Sequence, residues 1–319
     1  MKILYLTHGT INFEEKKAFY DTLVDMGHEV IYFNYIDKCY YYPNIKKKVV
    51  YEDTDEVLTT MVSGWHPDLV FFIPNQDQVE FRTLRKIQDM NVPILAWFCD
   101  DAWRFDDYTK YFLPFIDYAV TTDPYSIPKY CENSFESVMF LNWAANPKHY
   151  IKMDCDKIYD VSFVGQNHGI RGEIIDQLKQ AGINIHAFGK GFTERISFDD
   201  MIKIWNQSKI NLNFGAISGK SGRIQAKARD FEIACTGGGV LLTQRNPLLE
   251  KYFNNKEIVQ WDNIEHLIDC IKFLLEKDSI RENYSKLARK RVLREHTYQH
   301  RFTEIFKYLT FLKGEKQWT

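Results

Sequence analysis

The sequence predicts an α/β protein built from two successive doubly wound domains. Three observations carry that reading. Short apolar runs alternate with stretches of helical period, the alternation restarts after a polar hinge near the middle of the chain, and 319 residues exceed what one hydrophobic core usually serves.

The first half opens with the apolar run Ile3–Thr7, an amphipathic stretch from about Glu14 to Met26 closed by Gly27, and a second run Glu29–Tyr35, a β-α-β start. Further strands are predicted at Leu69–Ile73, Ile94–Phe98, Tyr118–Thr122 and Val138–Leu141, with helices between them such as Val79–Met90 and Asp106–Phe115. Strands alternating with helices imply a parallel sheet covered on both faces. The runs Tyr40-Tyr41-Tyr42-Pro43 and Lys46-Lys47-Lys48 read as solvated loop between elements. The hinge runs from Asn146-Pro147-Lys148-His149 to Asp154-Cys155-Asp156-Lys157, so the expected domains are residues 1–150 and 151–319. After it come strands at Val161–Val164, Ile185–Phe188, Ile210–Phe214, Val240–Thr243 and Ile258–Trp261. Helices are expected near Arg171–Ala181, Phe198–Gln207 and Ala226–Cys235. From Asn263 the pattern is helical, and His296–Leu312 exceeds what the second sheet needs for cover, so this tail is expected to cross back onto the first domain. Two such sheets facing across an interdomain cleft would turn the carboxyl ends of their strands, where ligands bind, toward the shared groove.

Composition narrows the function. Hydrophobic residues at 45% and charged residues at 26% describe a chain that folds throughout. Lys and Arg number 41 against 43 Asp and Glu, so no bulk positive field exists to hold nucleic acid; any anion site must be local. Cysteines at 39, 99, 131, 155, 235 and 270 show neither a CxxC pair nor zinc spacing, which suits reduced, buried thiols. The N-terminus turns polar too early for a signal peptide, and no apolar run is long enough to span a bilayer. A cytoplasmic protein is expected, with peripheral membrane contact left open; a bilobal periplasmic sugar-binding protein would need the export signal that is missing.

The segment Lys220 to Gly239 is the most informative. It reads as a glycine- and cation-bearing loop, Lys220-Ser221-Gly222-Arg223, entering a helix that ends at Gly237-Gly238-Gly239 just before a strand. A helix N-terminus approached by flexible backbone is an anion site, because its free N–H groups and dipole favour phosphate oxygens. Arg229 and Glu232, three residues apart, share one face, while Phe231 and Ala234 share another. On spacing alone the first two are also a surface ion pair on an amphipathic helix.

From Asp160 to about Arg301 the chain resembles the C-terminal domain of glycosyltransferase family 1, in the branch typified by CgeB-like spore-maturation proteins. The matching pieces are Val161-Ser162-Phe163-Val164-Gly165 followed by Arg171, then Arg229-Asp230-Phe231-Glu232-Ile233-Ala234-Cys235-Thr236-Gly237, Glu257-Ile258-Val259, and His296-Thr297-Tyr298 followed by Arg301. The first half resembles the same family at Ala96-Trp97-Phe98-Cys99-Asp100-Asp101 and Leu141-Asn142-Trp143-Ala144-Ala145-Asn146. The resemblance implies the GT-B fold, two Rossmann-like domains facing a cleft, with the donor held mainly by the second domain and the acceptor by the first. It implies transfer of a sugar from a UDP- or GDP-linked donor to a glycan, polysaccharide or protein.

By that resemblance Glu232 matches the glutamate that accepts hydrogen bonds from the donor ribose. A second glutamate, often found eight residues earlier in the wider group, is replaced here by Ile224. Arg223, Lys227 and Arg229 become candidates for the diphosphate, where cations stabilise charge on the leaving group. Gly165 and Asn167, after the first strand of the second domain, would let backbone approach phosphate; a bare turn is the alternative. Gly189 and Lys190, after the next strand, stand where such domains wrap the nucleotide base. In the first domain His8 follows the opening strand and serves as base or sugar-binding group, or as an ordinary loop histidine. Asp100 and Asp101 end a strand and would deprotonate or bind the acceptor hydroxyl, or cap the next helix. GT-B folds stabilise the diphosphate with cations and helix dipoles, so neither a metal nor a cofactor is expected. Two other readings share the architecture: a nucleotide-sugar 2-epimerase, and a catalytically degenerate coat or structural binding protein, which the missing acid at Ile224 raises.

Overall fold

The computed structural model describes residues 1–8, 16–41, 49–75, 79–215 and 224–313, with backbone alone for Lys16 and 311–313. The chain divides into two compact units: Met1–Asn142 together with the chain from Arg301 onward, and Trp143–His300.

The first unit is built on an eight-stranded sheet of β1 (Lys2–Thr7), β2 (Glu29–Asn34), β3 (Cys39–Tyr41), β4 (Val49–Val50), β5 (Leu69–Phe72), β6 (Ile94–Phe98), β7 (Tyr118–Thr121) and β8 (Val138–Phe140), in the order β4-β3-β2-β1-β5-β6-β7-β8. From β2 to β8 neighbouring strands are parallel, and β3 and β4 add an antiparallel edge. Successive side chains point to opposite faces, so β1 sends Leu4 and Leu6 into one core with Ile31, Phe33, Val70 and Phe72. Tyr5 goes to the other face, where its ring stacks on Phe71 with centroids 5.2 Å apart. The helices are α1 (Asp21–Asp25), α2 (Thr54–Trp65), α3 (Phe81–Asp89), α4 (Asp101–Arg104) and α5 (Ile127–Glu132).

Three details depart from the sequence pattern. In its described part, the helix expected over Glu14–Met26 is a π turn at Lys16–Tyr20 followed by the short α1. The helix expected over Asp106–Phe115 is a 3-10 turn, Thr109–Phe115, with Pro114 inside it; proline has no N–H to extend an α-helix. The aromatic run read as loop contributes β3, because Tyr40 stacks on Phe33 with planes 2° apart and Tyr51 stacks on the same ring at 4.9 Å. Tyr42, Pro43 and the three lysines 46–48 lie outside the described residues.

The second unit carries a five-stranded, all-parallel sheet of β9 (Tyr159–Val164), β10 (Ile185–Phe188), β11 (Ser208–Asn213), β12 (Val240–Gln244) and β13 (Val259–Trp261), ordered β10-β9-β11-β12-β13. Its helices are α6 (Arg171–Gln180), α7 (Phe198–Gln207), α8 (Ala228–Thr236), α9 (Ile264–Glu276) and α10 (Asp278–Glu295); α11 (Tyr298–Lys313) follows. One sheet face is covered by Ile175 and Leu178 of α6 with Leu267 and Ile271 of α9. The other is covered by Trp205 of α7, Phe231 of α8 and Val292 of α10. From Arg301 α11 belongs to the first unit, where Phe302 meets Phe19 and Phe71 edge-on and the Arg301 Nε–H donates to the Asn142 carbonyl at 2.9 Å.

Candidate nucleotide-diphosphate site

The topology of the second unit selects one place for a ligand. From β9 the chain passes through α6 to β10 on one side, while β11 lies on the other and leads to α8 and β12. The helices after β9 and β11 therefore cover opposite faces, and the connections diverge at the carboxyl ends of these two adjacent strands. Such a switch point opens a crevice that needs no extra element to shape it. Phe163 near the end of β9 and Phe214 just after β11 meet edge-on there, with centroids 5.0 Å apart.

Arg171, the first residue of α6, places its guanidinium over both rings, 5.6 Å from Phe163 and 5.9 Å from Phe214. It also donates to the Gln166 carbonyl at 3.0 Å. Each cation–π contact of this kind stabilises by about 0.5–2 kcal/mol and fixes the fork's orientation. Burial, followed by the charge of Arg229, pulls its pKa down to about 10, which leaves it a cation at neutral pH. His168, half-buried in the connection before α6, is held below the usual imidazole value by burial and then by Arg171, Lys227 and Arg229. Four basic side chains from two connections thus feel one another at a single edge of the sheet.

Lys227 is the N-cap of α8, and Arg229 stands in its first turn. Asp230 shapes this end: fully buried, it accepts from the Lys227 N–H at 2.8 Å, from Asn213 at 2.6 Å and from Thr243 at 2.8 Å. Burial raises its pKa, and those three donors oppose the rise. Arg229 forms no ion pair among the described residues, and its Nε is buried with no hydrogen-bond partner. A buried guanidinium N–H without a partner costs about 1–3 kcal/mol, which an arriving acceptor would recover. The surface pair with Glu232 that spacing allowed is not formed. Glu232, 5% exposed, instead accepts a hydrogen bond from the Tyr150 hydroxyl at 2.7 Å, and the Tyr150 ring is itself clasped by Phe198 and Trp205.

The glycines after β9 and β10 serve first to lock these two connections together. Gly165 N–H donates to Phe188 and Asn167 N–H to Lys190, both at 2.8 Å. Gly189 has φ +111°, and a Cβ there would fall 2.6 Å from the Gly165 oxygen; Gly191 has φ +90° and would meet the Asn167 Cβ at 2.7 Å. Gly165, Asn167, Gly189 and Lys190 are thereby brought together beside the cation cluster. Arg223 lies outside the described residues.

In the first unit, His8 follows β1 with its ring 6.4 Å from that of Tyr35. Asp100 occupies the N-cap position of α4 without a side-chain cap bond. Asp101 is 1% exposed, and its oxygens accept from Thr109 at 2.6 Å and Tyr130 at 2.7 Å. Burial pushes its pKa up to about 6. Its visible work is to tie the 3-10 turn and α5 to the start of α4. Among the described residues no three His, Cys, Asp or Glu side chains gather as a metal-binding group, and no helix is long and apolar enough to cross a membrane.

Sequence reasoning passed over His168 and Tyr150. The signal for His168 was its place after the first strand of the second domain, beside residues already singled out. Tyr150 carried none, because its partner Glu232 lies 82 residues away.

Residues 171–307 match the family model described as Glycosyl transferase-like. Over this stretch the chain is similar to that family. The match spans α6 through most of α11 and includes Lys227, Arg229 and Glu232. No curated protein matches the chain. Among solved structures, HepE of Anabaena in complex with UDP-glucose superposes with a TM-score of 0.61 at 10% identity, covering 99% of this chain and all of the other. The lipopolysaccharide outer core galactosyltransferase WaaB, in its apo form, gives 0.59 at 10% identity, with 98% and 100% coverage. S. aureus TarM, in complex with fondaparinux, alpha-GlcNAc-glycerol and UDP, gives 0.56 at 10% identity; the match covers 85% of this chain but only 61% of TarM. At such identity these likenesses establish the fold, GT-B with two Rossmann-like domains, and the stretch similar to the family lies on its second half.

Proposed function

We propose that the protein is a glycosyltransferase that takes a sugar from a nucleoside-diphosphate donor, UDP- or GDP-linked, and passes it to a hydroxyl of a glycan, polysaccharide or protein. The observation that carries this reading is the convergence of Arg171, Lys227, Arg229 and His168 on the carboxyl edge of β9 and β11, at the N-terminus of α8, with the Arg229 Nε buried and unpartnered. A pyrophosphate fits this chemistry: it brings two negative charges to an edge where four basic side chains gather, and its oxygens suit guanidinium forks. As the bond to the sugar breaks, charge grows on the leaving diphosphate. Cations already held in place by Phe163, Phe214 and the α8 entry stabilise it without rearranging.

Glu232 is proposed to accept from the donor ribose. A carboxylate has acceptor capacity for roughly four hydrogen bonds, so the bond from Tyr150 orients it without exhausting it. Arg223 and Lys190 are proposed as further donor contacts, with Gly165, Asn167 and Gly189 shaping the backbone around them. In the first unit His8 and Asp100 are proposed to handle the acceptor hydroxyl. Asp101 is proposed as their support, since both its oxygens are committed to Thr109 and Tyr130. No metal is proposed. UDP in HepE and TarM supports a uridine donor, and the glycans bound in TarM support a glycan acceptor. The CgeB-like branch rests on the motif resemblance, and six cysteines of which none forms a disulfide suit a reducing compartment such as the cytoplasm.

A thermal-shift screen against UDP, GDP and their sugar derivatives tests the reading. Stabilisation by one nucleotide series, together with release of free nucleoside diphosphate only when a second substrate is present, is expected. Binding without acceptor-dependent release would point to epimerisation or to a binding module.

A further inference from the structure

The connections that follow β5, β6 and β7 are laced together at the carboxyl edge of the first sheet, where these three strands lie side by side in parallel. After β6, the Cys99 carbonyl accepts from the Thr122 hydroxyl of the next connection at 2.9 Å, and α4 packs against the 3-10 turn Pro124–Ser126 that follows β7. After β5, the Asn75 carbonyl accepts from the Arg104 guanidinium at 2.8 Å. The same guanidinium lies 3.9 Å from the centre of the Tyr108 ring and 5.6 Å from that of Trp103, so Arg104 is held in place against both rings. Two large rings are nevertheless left to solvent on this edge, Trp103 at 45% exposure and Tyr125 at 66%. Beside them Asp100 makes no side-chain cap bond to α4, while Asp107 and Asp106, the latter paired with Lys129, are exposed.

Rings of this size at a ligand edge gain free energy when a flat apolar face covers them. The charges around them select the cover. Between residues 100 and 110, Asp100, Asp101, Asp106 and Asp107 stand against Arg104 and Lys110, which repels anionic lipid headgroups and anionic polymers. The same carboxylates and the Arg104 fork need hydrogen-bonding groups opposite them rather than hydrocarbon. A neutral pyranose meets both demands. Its slightly positive ring C–H groups suit the negative face of an indole or phenol, and its outward hydroxyls donate to a carboxylate and accept from a guanidinium. Resting on the reading above, in which Asp100 handles the acceptor hydroxyl, we propose that Trp103 and Tyr125 form a stacking platform for a sugar ring of an uncharged glycan acceptor, with Asp100 and Arg104 meeting the hydroxyls at its rim. The acceptor is thereby a carbohydrate rather than a protein.

A glycan array probed with the full chain in the presence of UDP or GDP tests this, with neutral, uronic-acid-containing and sulfated oligosaccharides printed together. The expected result is binding to neutral glycans that weakens about tenfold or more in Trp103→Ala and in Tyr125→Ala and is partly restored in Trp103→Phe, which keeps a ring. Both side chains face solvent, so the melting temperature should hold in all three variants, and calorimetry on the same samples should return the wild-type affinity for the nucleotide. Glycan binding equally strong in Trp103→Ala and Tyr125→Ala, binding confined to the charged glycans, or nucleotide binding with no glycan bound would each overturn the inference and leave the donor site standing. If the wild type binds neither nucleotide, the donor-site reading itself fails, and this inference with it.

Discussion

Arg229 is held in a state that costs the fold something: its Nε is buried without a partner, and its charge opposes that of Arg171. A side chain that the fold tolerates at a cost is a better candidate for ligand contact than one that completes an internal bond. Arg229→Ala should therefore weaken UDP or GDP binding by about 10- to 100-fold, the range of one or two charge-assisted hydrogen bonds, while leaving the melting temperature unchanged or slightly higher. A lowered melting temperature with intact binding would make it structural. Glu232 needs a gentler substitution than alanine, because alanine would strand the buried Tyr150 hydroxyl. Glu232→Gln keeps an acceptor for Tyr150, so it should fold normally and lose donor affinity; unchanged affinity by calorimetry would remove Glu232 from the ribose site. Asp101 behaves in the opposite way to Arg229. Its folded value, raised from 3.8 to about 6, means its protonated form stabilises the fold. That contribution is complete below the unfolded value and is lost as pH rises through about 6. Asp101→Asn should accordingly flatten the fall in stability between about pH 4 and pH 7, a difference on the order of 2 kcal/mol in denaturant titrations at the upper end.

At the scale of elements, the sequence made α8 legible because cations, an apolar face and a closing glycine cluster all fell in one window. The structure sets its first residue at Ala228 and its αL end at Gly237, within two residues of the pattern. The glycines after β9 and β10 were legible as special positions, but not for the right first cause. Gly189 and Gly191 take positive φ, their close approaches to Gly165 and Asn167 join the two connections to each other, and only coordinates show which backbone lies 2.6 Å away. Gly189→Ala should cost about 1–3 kcal/mol in thermal or chemical unfolding, since it adds strain at φ +111° and a contact with the Gly165 carbonyl. The edge strands β3 and β4 were illegible because their pairing depends on Phe33, Tyr40 and Tyr51 stacking across the chain, a long-range contact with no periodic signature. Pro114 was visible in the sequence, and it is the local reason a 3-10 turn stands where helical spacing suggested an α-helix.

At the scale of the whole molecule, the restart of the strand–helix alternation after the hinge was enough to read two doubly wound units, because hydrophobic period and chain length do not depend on distant contacts. Sheet order was another matter. That β9 lies between β10 and β11, which creates the switch point, follows from pairing alone. The charge count was informative in a limited way: with Lys and Arg at 41 against Asp and Glu at 43, a positive region had to be local, and it is local, drawn from α6, α8 and the connection between β9 and α6. The most direct measurement is a crystal structure of the protein grown with UDP or GDP. The account predicts the two phosphates at the carboxyl ends of β9 and β11, within hydrogen-bond reach of Arg171 and Arg229, and the ribose beside Glu232. Phosphates seated elsewhere, with Arg171 still lying only on Phe163 and Phe214 and the Arg229 Nε still unpartnered, would contradict it.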